Sequence, residues 1–399
     1  MMSRQAWMGK VAAALALFAM LVAGAAAAEQ QAIAIGPYVQ NVSTDNATIC
    51  WATVAGQMTY STAGSDATTV RKYDYHSITL RDLKPGTTYT YDVLGNGTDA
   101  GKGTFTTVPQ GEHPFSFAMI ADTQGRQNPG HRPILERIIA QKPDMVFNVG
   151  DLVSDGLEIL DWEAFFKVSA DLMRSTPYYA VLGNHDRHSP LYFNFFALPG
   201  NERYYSFNRG AAHFVALDSP GPLVPVTNQA ATPEDRARFA QMREEYWQRQ
   251  IEWLKQDLAA SQQAKYVFVF FHYPMYSVLA SRVDGGRLMR ERLGTVFQDY
   301  NVSAVFNGHD HNYHRAAAGG VQFVVAGVSG GRARPTDAPQ PESVKYASVV
   351  TYVRVDVGPE RAAVRVTDID GKTVDEFDLQ PRSSSTAQQA APAGSAAQR

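Results

Sequence analysis

Five times in this chain an apolar run of strand length ends on a residue with a metal-binding donor atom. Phe115–Ile120 leads to Asp122, residues 145–149 lead to Gly150-Asp151, and residues 178–182 lead to Gly183-Asn184-His185-Asp186. Residues 266–271 lead to His272, and residues 304–306 to Gly308-His309-Asp310-His311. Helical patterns separate the runs, and strands alternating with helices are the grammar of a layered α/β domain. In such folds ligands bind beyond the carboxyl ends of the strands. One strand-ending Asp is ordinary, serving as a turn or a helix cap. Five strand ends carrying carboxylate, amide or imidazole together point to a site. Hard oxygen donors beside borderline nitrogen donors suit a pair of metal ions.

The connecting segments fit that reading. Ile134, Leu135, Ile138 and Ile139 fall on one helical face after Pro133, which suits a first turn. A second helix is expected near residues 162–173. In a third, Trp247, Ile251, Leu254 and Leu258 recur at spacings of three and four and read as a core stripe. Residues 220–232 read as a long loop. Strands near 213–217, 321–328, 347–356, 362–367 and 372–379 complete the domain, with His213 a structural residue at the start of one.

The flanks differ. Residues 33–107 read as short strands joined by turns, with Ile49 and Trp51 on one face of a strand and Tyr89, Tyr91 and Val93 on one face of another. Leu83-Lys84-Pro85-Gly86-Thr87-Thr88-Tyr89 has the form of a tyrosine corner, the Pro-Gly turn placing Tyr89 to bond back to the backbone. Residues 108–114 form a linker, in which His113 is a solvated residue. At the start, Arg4 and Lys10 precede an apolar stretch and Ala25-Ala26-Ala27-Ala28, the pattern of a cleavable export signal over residues 1–28. An uncleaved anchor is the alternative; the apolar stretch is short for a mature span. Residues 381–399, rich in Ser, Gln, Ala and Pro, read as a disordered tail. Cys50 is the one cysteine, which excludes intrachain disulfides and cysteine-ligated metal sites. A net charge of −3 offers no broad attraction for nucleic acid or membranes, so a phosphorylated substrate would have to be captured locally.

With these motifs in order, the chain resembles the calcineurin-like metallophosphoesterase superfamily, and within it the purple acid phosphatase branch. The resemblance implies a four-layer α/β sandwich at residues 114–380, with two mixed β-sheets flanked by helices. A small all-β, fibronectin type III-like sandwich precedes it at residues 31–108. It implies two metal ions, divalent or mixed-valence iron, manganese or zinc. Asp151 would bridge them, Asn184, His272 and His309 would complete one site, and Asp122 and His311 would serve the other. His185 would face a small phosphorylated substrate, with Asp186 orienting its ring.

Two positions depart from the family. The purple enzymes carry a tyrosine where this chain has Ser154, and other branches carry a histidine where it has Gln124. Without the phenolate, ferric iron and a purple colour are not expected. Gln124 is either a direct ligand of the first metal through its amide oxygen or a donor to bound water. The implied chemistry is attack on a phosphomonoester by a metal-bound hydroxide, with His185 as general acid. Two rivals stand beside it. One is a phosphodiesterase or nucleotidase using the same residues; the other is a noncatalytic surface protein with a degenerate first metal site. Of the remaining polar residues, His188 and His314 read as structural and Arg315 as a partner for a local carboxylate. Arg126, Arg187 and Arg332 are unranked phosphate contacts. His76 and His131 have no context.

Overall fold

The computed structural model describes residues 33–60, 68–95, 98–125, 131–221, 232–329 and 331–382. The export-signal segment, the tail beyond residue 382, Arg126 and most of the 220–232 loop lie outside the described residues.

The N-terminal part is all β. Strands β1 (Ile33–Gln40), β2 (Ala47–Tyr60) and β3 (Thr68–Leu80) form one antiparallel sheet, and β4 (Thr88–Gly95) pairs with β5 (Thr98–Thr106) in another. The tyrosine corner forms: Gly86 adopts φ +61°, and the Lys84 N–H donates to Tyr89 Oη at 2.9 Å. Alternation along β2 serves two cores at once. Ile49 packs with Val39, Tyr91 and Phe105, whereas Cys50 and Ala52 on the other face join the core of the domain that follows. Buried tyrosine hydroxyls fasten the two parts, Tyr38 donating to the Phe195 carbonyl at 2.5 Å and Tyr91 to that of Arg174 at 2.8 Å.

The second part runs β6 (Phe115–Ile120), α1 (His131–Gln141), β7 (Met145–Asn148), α2 (Ile159–Met173), β8 (Tyr178–Ala180), α3 (Pro190–Phe195), β9 (Tyr205–Arg209) and β10 (Ala212–Ala216). It continues through α4 (Pro233–Ala260), β11 (Tyr266–Phe270), α5 (Val283–Asp299), β12 (Ala304–Asn307), β13 (Tyr313–Ala318) and β14 (Val321–Ala326). Four strands close it: β15 (Ser343–Ala347), β16 (Thr351–Val357), β17 (Ala362–Asp368) and β18 (Thr373–Leu379). One sheet has the order β18-β17-β16-β6-β7-β8 and the other β15-β13-β14-β12-β11-β10-β9. Both are mixed: β6, β7 and β8 run parallel, as do β10, β11, β12 and β14, with antiparallel neighbours at the edges.

The sheets stack through aromatic side chains. Phe147 of β7 lies over Phe270 of β11 with ring centroids 3.9 Å apart, and Phe117 of β6 meets Phe268 edge-on at 5.2 Å. Period-two alternation then sends the opposite residues of β11, Val267 and Val269, to the outer face, under Trp247, Leu254 and Leu258 of α4 and Leu293 and Phe297 of α5. Helices α1 and α2 cover the first sheet with Ile134, Leu135, Ile138, Trp162 and Phe165. A strand buried on both faces has no polar side and reads as a continuous apolar run, which is why β6, β7, β11 and β12 stood out.

Three differences from the sequence reading have physical causes. Ile139 is exposed, one step past the edge of the buried α1 face. Residues 347–356 are not one strand: Ala347 ends the edge strand β15, and after a break at 348–350 the rest forms most of β16. β13 contains Ala316-Ala317-Ala318, whose strand propensity is low, and is held by pairing on both sides to β14 and β15.

Candidate metal centre

The parallel strands bring their carboxyl ends to one rim. Asp122, Asp151, Asn184, His272, His309 and His311 lie in the turns that leave β6, β7, β8, β11 and β12. These turns are tightly interlocked: the Asp122 N–H donates to the Gly150 carbonyl, and the Gly308 N–H to that of His272. Gly183 sits in a tight space between two of these turns. A Cβ there would come within 2.1 Å of the Asp151 nitrogen and 2.3 Å of its Oδ1, so glycine is required by close approach. Asp122, Asp151, His309 and His311 hold φ between +51° and +71°, backbone that L-residues seldom adopt and that functional sites retain.

Hydrogen bonds fix which atom of each side chain is free. Asp151 Oδ1 accepts the His185 N–H at 2.8 Å, so its Oδ2 turns to His272 Nε2, 3.2 Å away. Asp122 Oδ2 accepts the His309 N–H at 2.8 Å, so its Oδ1 faces His311 Nε2 at 3.2 Å. His272 Nδ1 donates to the Val149 carbonyl at 2.8 Å, which leaves Nε2 as the ligating atom. Three of the atoms so aimed, Asp122 Oδ1, Asn184 Oδ1 and His272 Nε2, are buried without a hydrogen-bond partner. Orphaned buried donors and acceptors are costly unless something binds them. Ligand atoms of Asp151, His272 and His309 lie within 4.8 Å of one another. The donor set therefore fits metal.

Gln124 joins the Asp122 side. An amide orientation with the nitrogen toward the Asp122 and Asp151 carbonyl oxygens, 3.1 Å from each, satisfies both ends of the group and turns its oxygen toward the His311 imidazole. The phenolate position belongs to Ser154, whose side chain is exposed but whose carbonyl accepts His185 Nδ1–H at 2.8 Å.

That bond corrects the expected role of Asp186. Its carboxylate does not orient the His185 ring. Oδ2 accepts the N–H groups of Gly183 (2.8 Å) and Asp151 (3.0 Å), and Oδ1 that of Leu152 (2.9 Å). Asp186 is a fully buried clamp joining the β7 and β8 turns, a positioning residue rather than a catalytic one. Within this turn His185 is exposed while Asp186 is buried.

Charges at the site are strongly coupled. Burial opposes ionisation of Asp151, but His272 and the His185 N–H outweigh it and hold the carboxyl below its ordinary range. Burial likewise opposes a proton on His272, yet Asp151 and Asp122 lift it to about 9. His309 is held neutral by burial and by the positive charge of His272 and Arg282. A metal-free site thus keeps a proton on His272 at neutral pH, and a ligating imidazole must give it up. Calorimetric Mn(II) titrations at pH 7, in buffers of different ionisation enthalpy, are expected to show about one proton released per chain from this group. Affinity should rise with pH up to about 9. Binding without proton release would contradict the assignment.

The remaining candidates are structural. His188 Nε2 pairs with Asp218 Oδ2 at 2.5 Å, His213 bridges Asn208 and Asp257, and His314 Nε2 meets Ser343 Oγ at 2.9 Å. Arg315 pairs with Asp375 at 2.7 Å, and Arg187 with Asp155 at 3.2 Å. Arg332 is exposed. His76 stacks on Trp51, and His131 meets the Ser329 carbonyl. Arg282, which the sequence reading passed over, pairs with Asp310 at 3.1 Å and donates to the His309 carbonyl.

Comparison with known proteins places the domain in a family. Residues 115–313 match the model of the calcineurin-like phosphoesterase family. Purple acid phosphatase 15 of Arabidopsis thaliana is 24% identical over 284 residues, covering 60% of this chain and 49% of the relative. Acid phosphatase type 7 of Mus musculus is 26% identical over 272 residues, covering 61% and 57%. The chain thus spans about half the length of the curated relatives it matches. A purple acid phosphatase from yellow lupin (Lupinus luteus) seeds has a similar fold, with a TM-score of 0.66 at 18% identity over 86% of this chain and 74% of the other.

Proposed function

This chain carries a calcineurin-like metallophosphoesterase domain with purple acid phosphatases among its homologues, and from that premise we propose that it is a two-metal phosphomonoesterase. The observation that carries the reading is the meeting of five donor-bearing strand ends at one rim, three of which carry a buried atom with no hydrogen-bond partner: Asp122 Oδ1, Asn184 Oδ1 and His272 Nε2. Asp122, Gln124, Asp151 and His311 would hold one ion, and Asp151, Asn184, His272 and His309 the other. The identity of the metals is open to iron, manganese or zinc. A bound pair supplies Lewis-acid stabilisation of phosphoryl oxygens and lowers the pKa of water.

The chain itself supplies proton transfer. His185 is 45% exposed, with its Nε2 4.0 Å from Asp151 Oδ2. Because the Ser154 carbonyl holds Nδ1–H, the Nε2 side of the ring is presented to the rim, and the imidazolium form can donate its Nε2 proton to a leaving oxygen and remain as the neutral Nδ1–H imidazole. Asp186 locks the turn that carries this ring.

The proposed organisation is a cleaved export signal at 1–28, a fibronectin type III-like domain at 31–108, the catalytic domain at 114–380 and a tail from 381. Among the described residues, no helix is long and apolar enough to cross a membrane. Export to a periplasm or to the medium follows from the expected signal. Hydrolysis of p-nitrophenyl phosphate and bis-p-nitrophenyl phosphate, with added Mn(II), Fe(II) or Zn(II), tests the activity. The monoester is expected to be preferred. Preference for the diester would favour the phosphodiesterase alternative, and no hydrolysis of either would favour a noncatalytic protein.

A further inference from the structure

Beside the metal centre lies a cavity of about 310 Å³ bounded by Tyr273, Pro274, Arg282, Leu288, Met289 and His309. We infer that it is a leaving-group subsite for an uncharged, ring-sized apolar alcohol; this deepens the phosphomonoesterase reading and rests on it.

Two of its walls belong to the centre itself. His309 is a candidate ligand, and Tyr273 follows His272 directly, its ring meeting that of His309 edge-on at 4.5 Å. A phosphoryl group at the rim would therefore carry its alcohol past these two rings. The volume lies at the low end of small-molecule pockets, about 300–1,000 Å³, which suits one ring rather than a polymer.

Charge narrows the class further. Arg282 is the one cation among the lining residues. Its guanidinium is committed to Asp310 at 3.1 Å and to the His309 carbonyl. A leaving group with its own phosphate or carboxylate would find no free counter-charge here. An apolar ring would instead cover Met289 and Leu288, the latter 50% exposed, removing apolar surface from water.

Gly285 shows that the space is kept open. It lines the cavity in the first turn of α5, at ordinary φ, and a Cβ built there meets nothing within 4 Å. Glycine is unfavourable in a helix relative to alanine, and no contact requires it. The next residue differs: a Cβ on Gly286 would strike the Met275 carbonyl at 2.7 Å.

The test compares ethyl phosphate with 2-phenylethyl phosphate, whose alcohols are similar in acidity, on the metal-loaded full chain. The parent is expected to favour the phenylethyl ester by about tenfold in kcat/KM, expressed mainly in KM. Gly285→Leu, which fills the cavity, and Met289→Asp, which makes it polar, should each bring the ratio near one while metal content and melting temperature are retained. Binding of the matching phosphonates is measured in parallel by calorimetry. A parental ratio near one, or variants that keep the parental preference, overturns the subsite and leaves the phosphatase reading standing. No turnover, but tighter binding of the phenylethyl phosphonate, removes the phosphatase reading and supports the subsite. No turnover and equal binding overturns both.

Discussion

Asp151→Asn is expected to lower kcat/KM for p-nitrophenyl phosphate by about 10³-fold or more, the loss of roughly 4 kcal/mol of transition-state stabilisation. The geometry leaves Asp151 no substitute. Its Oδ1 is held by the His185 N–H and its Oδ2 is set against His272 Nε2. Asparagine keeps the size, so the Gly183 contact survives, but it removes the negative charge that would join two cations. The Asn oxygen can still accept the His185 N–H, which separates loss of charge from loss of fold. An unchanged melting temperature for the metal-free variant, together with collapsed activity, is the expected pair of results. Activity within about tenfold of the parent would mean that Asp151 does not bridge.

The second large effect isolates proton transfer from metal binding. His185→Ala should retain the parental metal content, because among the described residues the ring bonds to the Ser154 carbonyl and otherwise faces the open rim. Turnover of an alkyl phosphate, whose alkoxide needs a proton, should fall by about 10²–10⁴-fold. Turnover of p-nitrophenyl phosphate should fall much less, since its leaving group needs little protonation. Equal losses on both substrates would assign His185 to substrate positioning. No loss on the alkyl ester would remove the general-acid role.

The parts of this molecule most legible in the sequence were those where physics imposes period and position together. Strands buried on both faces, such as 266–270, read as unbroken apolar runs, and the polar residues after them marked the rim where ligands gather. The tyrosine corner was equally readable, because the Pro85-Gly86 turn and Tyr89 act within one short segment. Two of the edge strands were not. β9 and β15 lie at the ends of their sheet, and the burial of β15 is too slight to leave an alternating pattern. Side-chain direction was also beyond the sequence. His185 and Asp186 are neighbours, which suggested a pair, yet the turn points one to the rim and folds the other onto four backbone N–H groups. Arg282 was invisible for a different reason. Its partners, Asp310 and the His309 carbonyl, lie 28 and 27 residues away in the chain, so only the fold makes them adjacent.

The Gln124 amide bears most on the noncatalytic alternative. In place of an imidazole or phenolate, the proposed first site would have a neutral oxygen, in the amide orientation that turns the Gln124 nitrogen to two backbone carbonyls. Such a donor is weaker than the residues it stands for, so the ion on this side should exchange faster than the one beside His272 and His309.

Metal content tests the central claim most directly. Mass-spectrometric analysis of the purified parent, equilibrated with Mn(II) or Zn(II) and freed of excess ion, should give about two ions per chain, with phosphatase activity abolished by chelation and restored by re-addition. A parent that binds less than one ion per chain, or hydrolyses phosphomonoesters equally well after complete chelation, would contradict the account.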